Sequence, residues 1–377
     1  MRIVAAVTLA LTACSFHPRA DNGGDAAQAS EAGLDGAPPA DTVDADDRTC
    51  SSVDGLLGPL CLRPSGGIAF DGPVFDTTAD ALCDASILAV CVVAAQTITT
   101  TNPVTVTGSR PLVLFAAEAI HVTGTLDASS KHGAASGAGA RSSPCNSPRT
   151  VPDASDLGAG GGAGGSFGEV GGDGGGGNVN QSGGAPVMLG GTAGLTIPAL
   201  AVRGGCPGQP GATGVGPDDG GAAGDGGGAL YLFAAGSIVI DGAVLASGAG
   251  GTGGFDDSGG GGGGAGGLVG LESPTIAVTG IVAANGGGGG GGGSIDDPFF
   301  GGPGDDGAAS PFNGVAQGGT PGFDSGTGGH GSSVAATHGA QPAPADGGGG
   351  GGGGGVGVVW VHGALTGTQV SPAAQVH

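Results

Sequence analysis

The sequence predicts an all-β protein, a right-handed parallel β-helix or solenoid that carries long glycine-rich excursions. Two observations support this prediction. An 18-residue segment, residues 112–129, recurs at 230–247 and 268–285, and its first part recurs at 358–361. The later copies are separated by tracts dominated by glycine, which makes up 94 of the 377 residues. Each repeat can bury its inner face only by stacking on the next, which is typical of a solenoid.

Composition limits the class of protein. Glycine is far above the roughly 7% of ordinary chains, but the unbroken tracts 286–293 and 347–355 exclude collagen, which needs glycine at every third position. Hydrophobic residues make up 38% of the chain and are concentrated in the repeats, so a core is expected there. The formal net charge is −23, with only nine Lys and Arg residues. Such a chain has few cations to offer phosphates, so nucleic acid is excluded as a partner.

The N-terminus is typical of an export signal. Arg2 precedes an apolar run that is too short to span a bilayer. The run ends in Leu-Thr-Ala-Cys14, which resembles the bacterial lipobox and implies cleavage before Cys14 and acylation of that cysteine. An ordinary secretory signal with an incidental cysteine is the alternative. We expect a signal peptide at 1–14, a flexible acidic tether at 15–49, and a lipid-anchored protein at the outer membrane or cell surface.

The other six cysteines form an even set, as expected in an oxidising compartment. Pairing each cysteine with its neighbour in sequence predicts Cys50–Cys61, Cys83–Cys91 and Cys145–Cys206, although six cysteines permit many other connectivities. The last bridge would close a long glycine-rich loop, where the entropy of the unfolded chain is largest. A zinc site is the rival interpretation, but CxxC spacing and nearby histidines are lacking.

Short strands are predicted from Cys91 onwards, where Val, Ile and Thr alternate with a period of two and turn residues interrupt the runs. This pattern also fits a sandwich or a barrel, but repetition of one strand–turn–strand unit favours the β-helix. Aligning the copies predicts inward-facing apolar positions, and a corner glycine with positive φ or a close backbone approach. The aligned sets are Ile120, Ile238 and Ile276; Val122, Ile240 and Val278; Leu126, Val244 and Val282; and Gly124, Gly242 and Gly280.

Three glycine-rich excursions interrupt the predicted solenoid domain, which spans 50–372 and leaves a short tail at 373–377. They lie at 131–228, 248–267 and 286–355. Fixing a glycine backbone costs more entropy than fixing any other residue, so these segments order only if they are stapled, packed edge to edge or bound. One alternative is a bundle of extended polyglycine helices that resemble polyproline II and pair laterally. The other is a set of flexible loops.

Acidic pairs recur at the predicted turns, and carboxylates beside main-chain carbonyls are ligands that suit Ca²⁺. The pairs are Asp218-Asp219, Asp256-Asp257, Asp296-Asp297 and Asp305-Asp306. They lack the tandem period of the nonapeptide Ca²⁺-binding repeats. We therefore predict no cofactor, and keep structural Ca²⁺ as an alternative to acids that only solubilise the turns.

No catalytic residue is predicted. Lyases and hydrolases that act on polysaccharides need acids presented together on one wall, whereas the acids of the repeats do not align with one another. The candidates in the repeats are Glu118, His121, Asp127, Asp241 and Glu272. Serines and histidines also occur together at Ser325, His330, Ser332, Ser333 and His338, but without a nucleophile-elbow context.

Several motifs together resemble the glycine-rich, repeat-bearing surface lipoproteins of myxobacterial type. They are the repeat that begins with Leu112, the Arg-Gly-Gly-Cys at 203–206, and the polyglycine that ends in Val-Gly-Val-Val-Trp-Val at 356–361. This resemblance implies a surface location and imports no activity. A similarity to pectin lyase-like β-helices implies the fold.

We therefore predict a non-enzymatic cell-surface lipoprotein with a structural, adhesive or matrix role. Its expected partners are the membrane, through the lipid anchor, and surface polysaccharide or other envelope proteins. Two alternatives remain open. One is a carbohydrate-active β-helix enzyme, a polysaccharide lyase or hydrolase, and the other is a Ca²⁺-dependent binding module.

Overall fold

The structure is a computed structural model that describes residues 48–377 except 85–86, 88, 142–144, 146–149, 178–187, 215–219, 296–299, 303, 308–314 and 343–346. Cys14, the predicted signal peptide and the tether up to residue 47 lie outside the described residues. Within them the chain forms strands and no helix, which confirms the all-β prediction. It follows that this part of the chain contains no helix able to cross a membrane.

Sixteen strands follow one another along the chain. They are β1 (Thr49–Cys50), β2 (Cys61–Leu62), β3 (Gly67–Ala69), β4 (Val74–Asp76), β5 (Cys91–Thr100), β6 (Val104–Thr107), β7 (Leu112–Val122), β8 (Thr125–Asp127), β9 (Ala229–Ala234), β10 (Ser237–Ile240), β11 (Ala243–Leu245), β12 (Leu268–Val278), β13 (Ile281–Ala283), β14 (Val358–Thr366), β15 (Val370–Ser371) and β16 (Gln375–Val376).

Two parallel sheets contain all of these strands except the first two. An eight-stranded sheet has the order β16-β14-β12-β10-β7-β5-β3, and β9 also pairs with β12 and β7. A six-stranded sheet has the order β15-β13-β11-β8-β6-β4. β1 and β2 form a separate antiparallel pair, closed by a disulfide between Cys50 and Cys61. The predicted tail is part of the larger sheet, since β16 pairs with β14.

The predicted right-handed parallel β-helix is wrong. The strands form two wide parallel sheets, of eight and six strands, rather than the regular coils of a right-handed solenoid. Repetition in the sequence could not distinguish these arrangements. When a strand–turn–strand unit recurs along the chain, each copy can pair in register with the copy before it and extend a parallel sheet. This holds whatever path the connecting segment takes, so the repeats alone do not define a solenoid. Here the connections range from short turns to excursions of very different lengths.

The predicted alignment of the repeats is confirmed in their second halves. Ile238 of β10 lies opposite Ile120 of β7 and Ile276 of β12. The aligned glycines meet the second of the two predicted requirements, a close backbone approach. A Cβ on Gly242 would lie 1.8 Å from the carbonyl oxygen of Gly124, although its φ is not in the left-handed region.

The first halves of the repeats are offset by one residue from the predicted alignment. Leu230 lies opposite Leu112, as expected, but its partner on β12 is Val269 rather than Leu268. An irregularity in the pairing of β12 with β14, between Glu272 and Thr275, accompanies this offset. Because successive side chains of a strand point to opposite faces, the offset exchanges the faces of every residue in the first half of β12.

The main hydrophobic core lies between the two sheets. Ile120, Ile238 and Ile276 from the larger sheet belong to the same fully buried cluster as Leu126 and Val244 from the smaller one. These are the positions that the sequence predicts to face inward. Burial of this cluster stabilises the packing of the two sheets, at about 25 cal/mol per Å² of apolar surface removed from water.

The opposite face of the larger sheet is also apolar. Its cluster includes the stacked rings of Phe115 and Phe233, whose centroids lie 4.4 Å apart, together with Tyr231 and Trp360. Two segments cover it, through the following side chains: Leu56, Leu57, Leu60 and Leu62 from the Cys50–Cys61 hairpin, and Phe167, Ile197, Ala199 and Val202 from the first excursion. The cover of this face is therefore shared between the N-terminal hairpin and the first glycine-rich excursion.

The glycine-rich excursions form an ordered, laterally hydrogen-bonded bundle rather than flexible loops over the described residues. The main-chain N–H groups of the buried segment 259–267 donate hydrogen bonds to three neighbouring segments in turn. Residues that are three positions apart therefore donate to the same neighbouring segment. For example, Gly260 and Gly263 donate to the carbonyls of Gly349 and Gly352 at 2.9 Å. Its own carbonyls accept hydrogen bonds from three other segments. The six neighbours are 159–165, 206–212, 221–228, 246–252, 286–293 and 348–355.

A period of three in an extended backbone is the geometry of polyproline II-type helices. In the bundle, the buried peptide groups form their hydrogen bonds with neighbouring segments instead of within their own segment. It also continues the larger sheet, because residues 228, 267 and 357 lead directly into β9, β12 and β14. The remaining disulfides are Cys83–Cys91, at the start of β5, and Cys145–Cys206, which staples the bundle.

Candidate functional site

A buried carboxylate with three polar neighbours lies on the outer face of the larger sheet. Glu272 of β12 is only 4% exposed. One of its carboxylate oxygens accepts the main-chain N–H of Ser52 at 2.7 Å, and the other accepts the hydroxyl of Tyr231. The Oγ atom of Ser52 lies 3.1 Å from Nδ1 of His362. We call Glu272, Tyr231, Ser52 and His362 the Glu272 cluster.

The register of three adjacent strands brings this cluster together. Glu272 lies opposite Phe233 of β9 on one side and His362 of β14 on the other. Tyr231, two residues before Phe233, is on the same face of β9 and reaches the carboxylate diagonally. Ser52 belongs to the hairpin that covers this face, so the Glu272 cluster fastens the hairpin to the sheet.

Gly55 of the hairpin fits against the cluster because it has no side chain. A Cβ at this position would lie 2.6 Å from Oε2 of Glu272 and 3.2 Å from the hydroxyl of Tyr231. Burial, and then the hydrogen bond to Glu272, raise the pKa of Tyr231 far above its ordinary value near 10. Tyr231 therefore remains a hydrogen-bond donor at any physiological pH.

A cavity of about 390 Å³ opens beside the Glu272 cluster. Its lining combines the polar residues Ser52, Glu272, Ser273 and His362 with apolar groups. The lining residues are Cys50, Ser52, Phe233, Ala234, Ala235, Glu272, Ser273, Pro274, His362 and Gly363. Trp360 is close by, with its ring centroid 5.8 Å from that of His362. The arrangement can hold a small molecule, because this volume lies within the range of small-ligand sites.

The geometry of the cluster differs from that of a Ser-His-acid triad. In a triad the acid orients the histidine and the histidine contacts the nucleophile. Here the carboxylate of Glu272 accepts the main-chain N–H of Ser52 and the hydroxyl of Tyr231. These contacts position the hairpin rather than the imidazole of His362.

A second polar contact joins adjacent repeats on the surface. Nε2 of His121 lies 2.8 Å from Oδ2 of Asp241, and the hydroxyl of Thr279 donates to Oδ1 of the same carboxylate. His121 and Asp241 are both close to half exposed. The hydrogen bond from Thr279, and then that from His121, lower the pKa of Asp241 below its ordinary value. The prediction that acids do not align is correct for facing positions, but this diagonal contact was missed.

The other candidate acids are engaged with close neighbours. Glu118 accepts a hydrogen bond of 2.7 Å from Nε2 of Gln96 on the exposed surface. Asp127 pairs with Lys131 at 2.8 Å. The hydrogen bond and charge of Asp127 raise the pKa of Lys131. The structure therefore brings together only His121 with Asp241 among the five candidates in the repeats.

Three of the serines and histidines of the last excursion make side-chain hydrogen bonds to main-chain groups of the excursions. Oγ of Ser325 donates to the carbonyl of Gly293 at 2.7 Å, and Nδ1 of His330 accepts the N–H of Gly318 at 3.0 Å. Nδ1 of His338 accepts the N–H of Asp173 at 2.8 Å. Ser332 is buried and Ser333 is half-buried. These contacts order the bundle and do not form a nucleophile with its base.

The acidic pairs that the structure describes cap main-chain groups. Oδ1 of Asp257 accepts the N–H of Ile295 at 2.9 Å. Oδ1 of Asp306 accepts the N–H groups of His132 and Gly250, at 2.8 and 3.0 Å. Over the described ranges, no group of three or more His, Cys, Asp or Glu side chains is arranged to hold a metal ion. Asp218-Asp219 and Asp296-Asp297 lie outside those ranges.

Sequence reasoning missed the Glu272 cluster. Ser52 and His362 are 310 residues apart in the chain, and no local motif contains both. The predicted alignment also placed Glu272 opposite Ala234, whereas the actual partner is Phe233. The sequence signal that could have indicated this cluster is the presence of Tyr231 and Glu272 within otherwise apolar repeats. No family model matches the chain, and neither does any curated protein or solved structure.

Proposed function

We propose that the chain is a non-enzymatic structural protein of the cell surface, with an adhesive or matrix role and a lipid anchor at Cys14. The observation that supports this proposal is the glycine bundle. The segment 259–267 is hydrogen-bonded to neighbours on six sides through its main chain alone. A body built in this way is stiff, because no segment can move without breaking main-chain hydrogen bonds to several others.

The candidate acids support the same role. Asp241 joins side chains of neighbouring repeats, and Glu272 joins the N-terminal hairpin to β9 and β12, whereas Asp127 pairs locally with Lys131. Three disulfides add covalent links, which suits a protein that works in an oxidising compartment. The acidic surface keeps copies of the chain apart in solution, so an anchor is the means of concentrating them on a cell.

A turnover assay tests the non-enzymatic part of the proposal. The purified chain is incubated with a panel of neutral and uronate-containing polysaccharides, and new reducing ends and unsaturated products are measured. We expect no product above the background of the double variant Asp241→Asn/Glu272→Gln. Turnover by the wild-type chain that either single substitution abolishes would instead establish a polysaccharide lyase or hydrolase.

Cell fractionation tests the location. We expect the wild-type chain, expressed with its own leader in a diderm bacterium, to sediment with the outer membrane and to be labelled on intact cells by an impermeant reagent. The variant Cys14→Ser should be released in soluble form. Equal sedimentation of the two chains would contradict anchoring through Cys14.

A further inference from the structure

The Glu272 cluster holds the N-terminal hairpin on the sheet, and the cavity beside it also has the chemistry of a binding site. The side chains of Phe233, Glu272 and His362 occupy facing positions on three adjacent strands, so they form a row along one wall. Phe233 is rigidly held, since its ring stacks on that of Phe115. A wall of this kind offers an aromatic surface at one end and polar groups at the other.

Glu272 brings a negative charge to this wall. It is 4% exposed, and over the described residues it forms no ion pair with lysine or arginine. A carboxylate has about four acceptor positions, and the contacts with Ser52 and Tyr231 use two of them. A buried charge without an opposite charge is unfavourable. An ammonium group in the cavity would neutralise it and use the acceptor positions that remain.

The rest of the cavity favours a small apolar body attached to that ammonium. Ala234, Ala235 and Pro274 line it together with Phe233. A volume of about 390 Å³ lies at the lower end of the range for small-molecule sites. The overall charge of −23 attracts cations and disfavours anionic ligands.

We propose that this cavity binds a small primary amine, with the ammonium group at the Glu272 carboxylate and the carbon skeleton against Phe233 and Pro274. This site goes beyond the structural role proposed above and does not depend on it. A polysaccharide-turnover assay has no bearing on amine binding, so the two proposals can fail separately.

Binding is measured with the purified chain by calorimetry and by the fluorescence of Trp360, the one tryptophan of the chain, which lies near His362. The probes are benzylamine, cyclohexylamine and glucosamine, and benzyl alcohol serves as the neutral counterpart of benzylamine. We expect saturable binding of at least one amine at millimolar concentration or below, and affinity for benzyl alcohol at least about tenfold weaker than for benzylamine.

Three variants separate the site from general electrostatics. Glu272→Gln keeps the shape and removes the charge, and should weaken amine binding by at least about tenfold. Asp241→Asn removes the same charge from the exposed surface and should change affinity by less than about twofold. Ala235→Leu fills the exposed wall of the cavity without touching the contacts of Glu272, and should abolish binding.

Far-ultraviolet circular dichroism checks that each variant is folded. If Glu272→Gln loosens the hairpin, Ala235→Leu still tests the location of the site. Saturation by none of the three amines would overturn the proposal. Equal affinity for benzyl alcohol and benzylamine would overturn it, and so would full binding by Ala235→Leu.

Discussion

The bundle predicts a large penalty for adding a single methyl group at its centre. Gly262 donates to the carbonyl of Gln209 and accepts from the N–H of Gly224, both at 2.9 Å. A Cβ on Gly262 would lie 2.0 Å from the carbonyl oxygen of Ala163, whereas real Cβ atoms essentially never approach closer than 3.0 Å. The variant Gly262→Ala must therefore widen this contact by about 1 Å.

That displacement has a cost that can be worked out from the neighbouring hydrogen bonds. On either side of Ala163, Gly162 donates to Gly260 at 2.9 Å and Gly164 donates to Gly172 at 2.8 Å. Moving the segment by about 1 Å lengthens such bonds beyond useful range, at about 1 kcal/mol each. Overpacking adds about 1–3 kcal/mol, and the stiffer unfolded chain returns only about 0.4–1 kcal/mol. We expect a net loss of about 2–4 kcal/mol in the free energy of unfolding.

The assay is equilibrium unfolding in guanidinium chloride with the disulfides intact, followed by Trp360 fluorescence. Gly72→Ala is the matched control, because the atom nearest to its Cβ would be the carbonyl oxygen of Val74 at 3.8 Å. The control should be neutral or slightly stabilising. Equal stability of Gly262→Ala and wild type would refute the close packing of the bundle. An equal loss in both variants would show that the penalty does not come from packing.

Three further results are expected. Tyr231 is the one tyrosine of the chain, and burial raises its pKa; its ionisation, read at 295 nm, should be absent at pH 11 in the native protein. The stability linked to Tyr231 is therefore present below about pH 10 and declines as the pH rises above it, because only the unfolded chain loses the proton. Replacing Cys145 and Cys206 with serine opens a loop with a sequence separation of 61 and should cost about 4 kcal/mol in thermal or chemical unfolding, and an unchanged midpoint would contradict a stapling role. The lowered pKa of Asp241, read by NMR titration, should rise towards 3.8 in Thr279→Val, and its contribution to stability is present above that value and lost as the pH falls below it.

The second halves of the repeats were predictable because apolar alternation determines which side chains face inward. Ile120, Ile238 and Ile276 align in the sequence and lie opposite one another in the sheet. The first halves were not, because Leu268 and Val269 are both apolar and either could continue the pattern. One residue of offset then placed Glu272 on the unexpected face.

The bundle could not be derived from the sequence for a different reason. A tract such as 286–293 has no side chains, so nothing in it distinguishes a flexible loop from a packed one. Order there comes from main-chain partners supplied by distant segments, for instance Gly287 with Gly264 and Gly290 with Gly261. The Glu272 cluster was also beyond sequence reasoning, since its members come from the hairpin and from three strands far apart in the chain.

The threefold hydrogen bonding of the bundle has a consequence for how such a chain can change in length. A tract of identical residues with a period of three has translational symmetry, so a shift of three residues restores every contact with its neighbours. An insertion of three glycines in 286–293 would lengthen the tract and keep its donors aimed at the same partners. One or two added glycines would turn them by about a third or two thirds of a full turn, towards the wrong neighbours. Such a tract can therefore change its length in steps of three residues without losing its hydrogen-bond partners, and the flanking strands, rather than the glycines, decide which of the equivalent alignments is occupied.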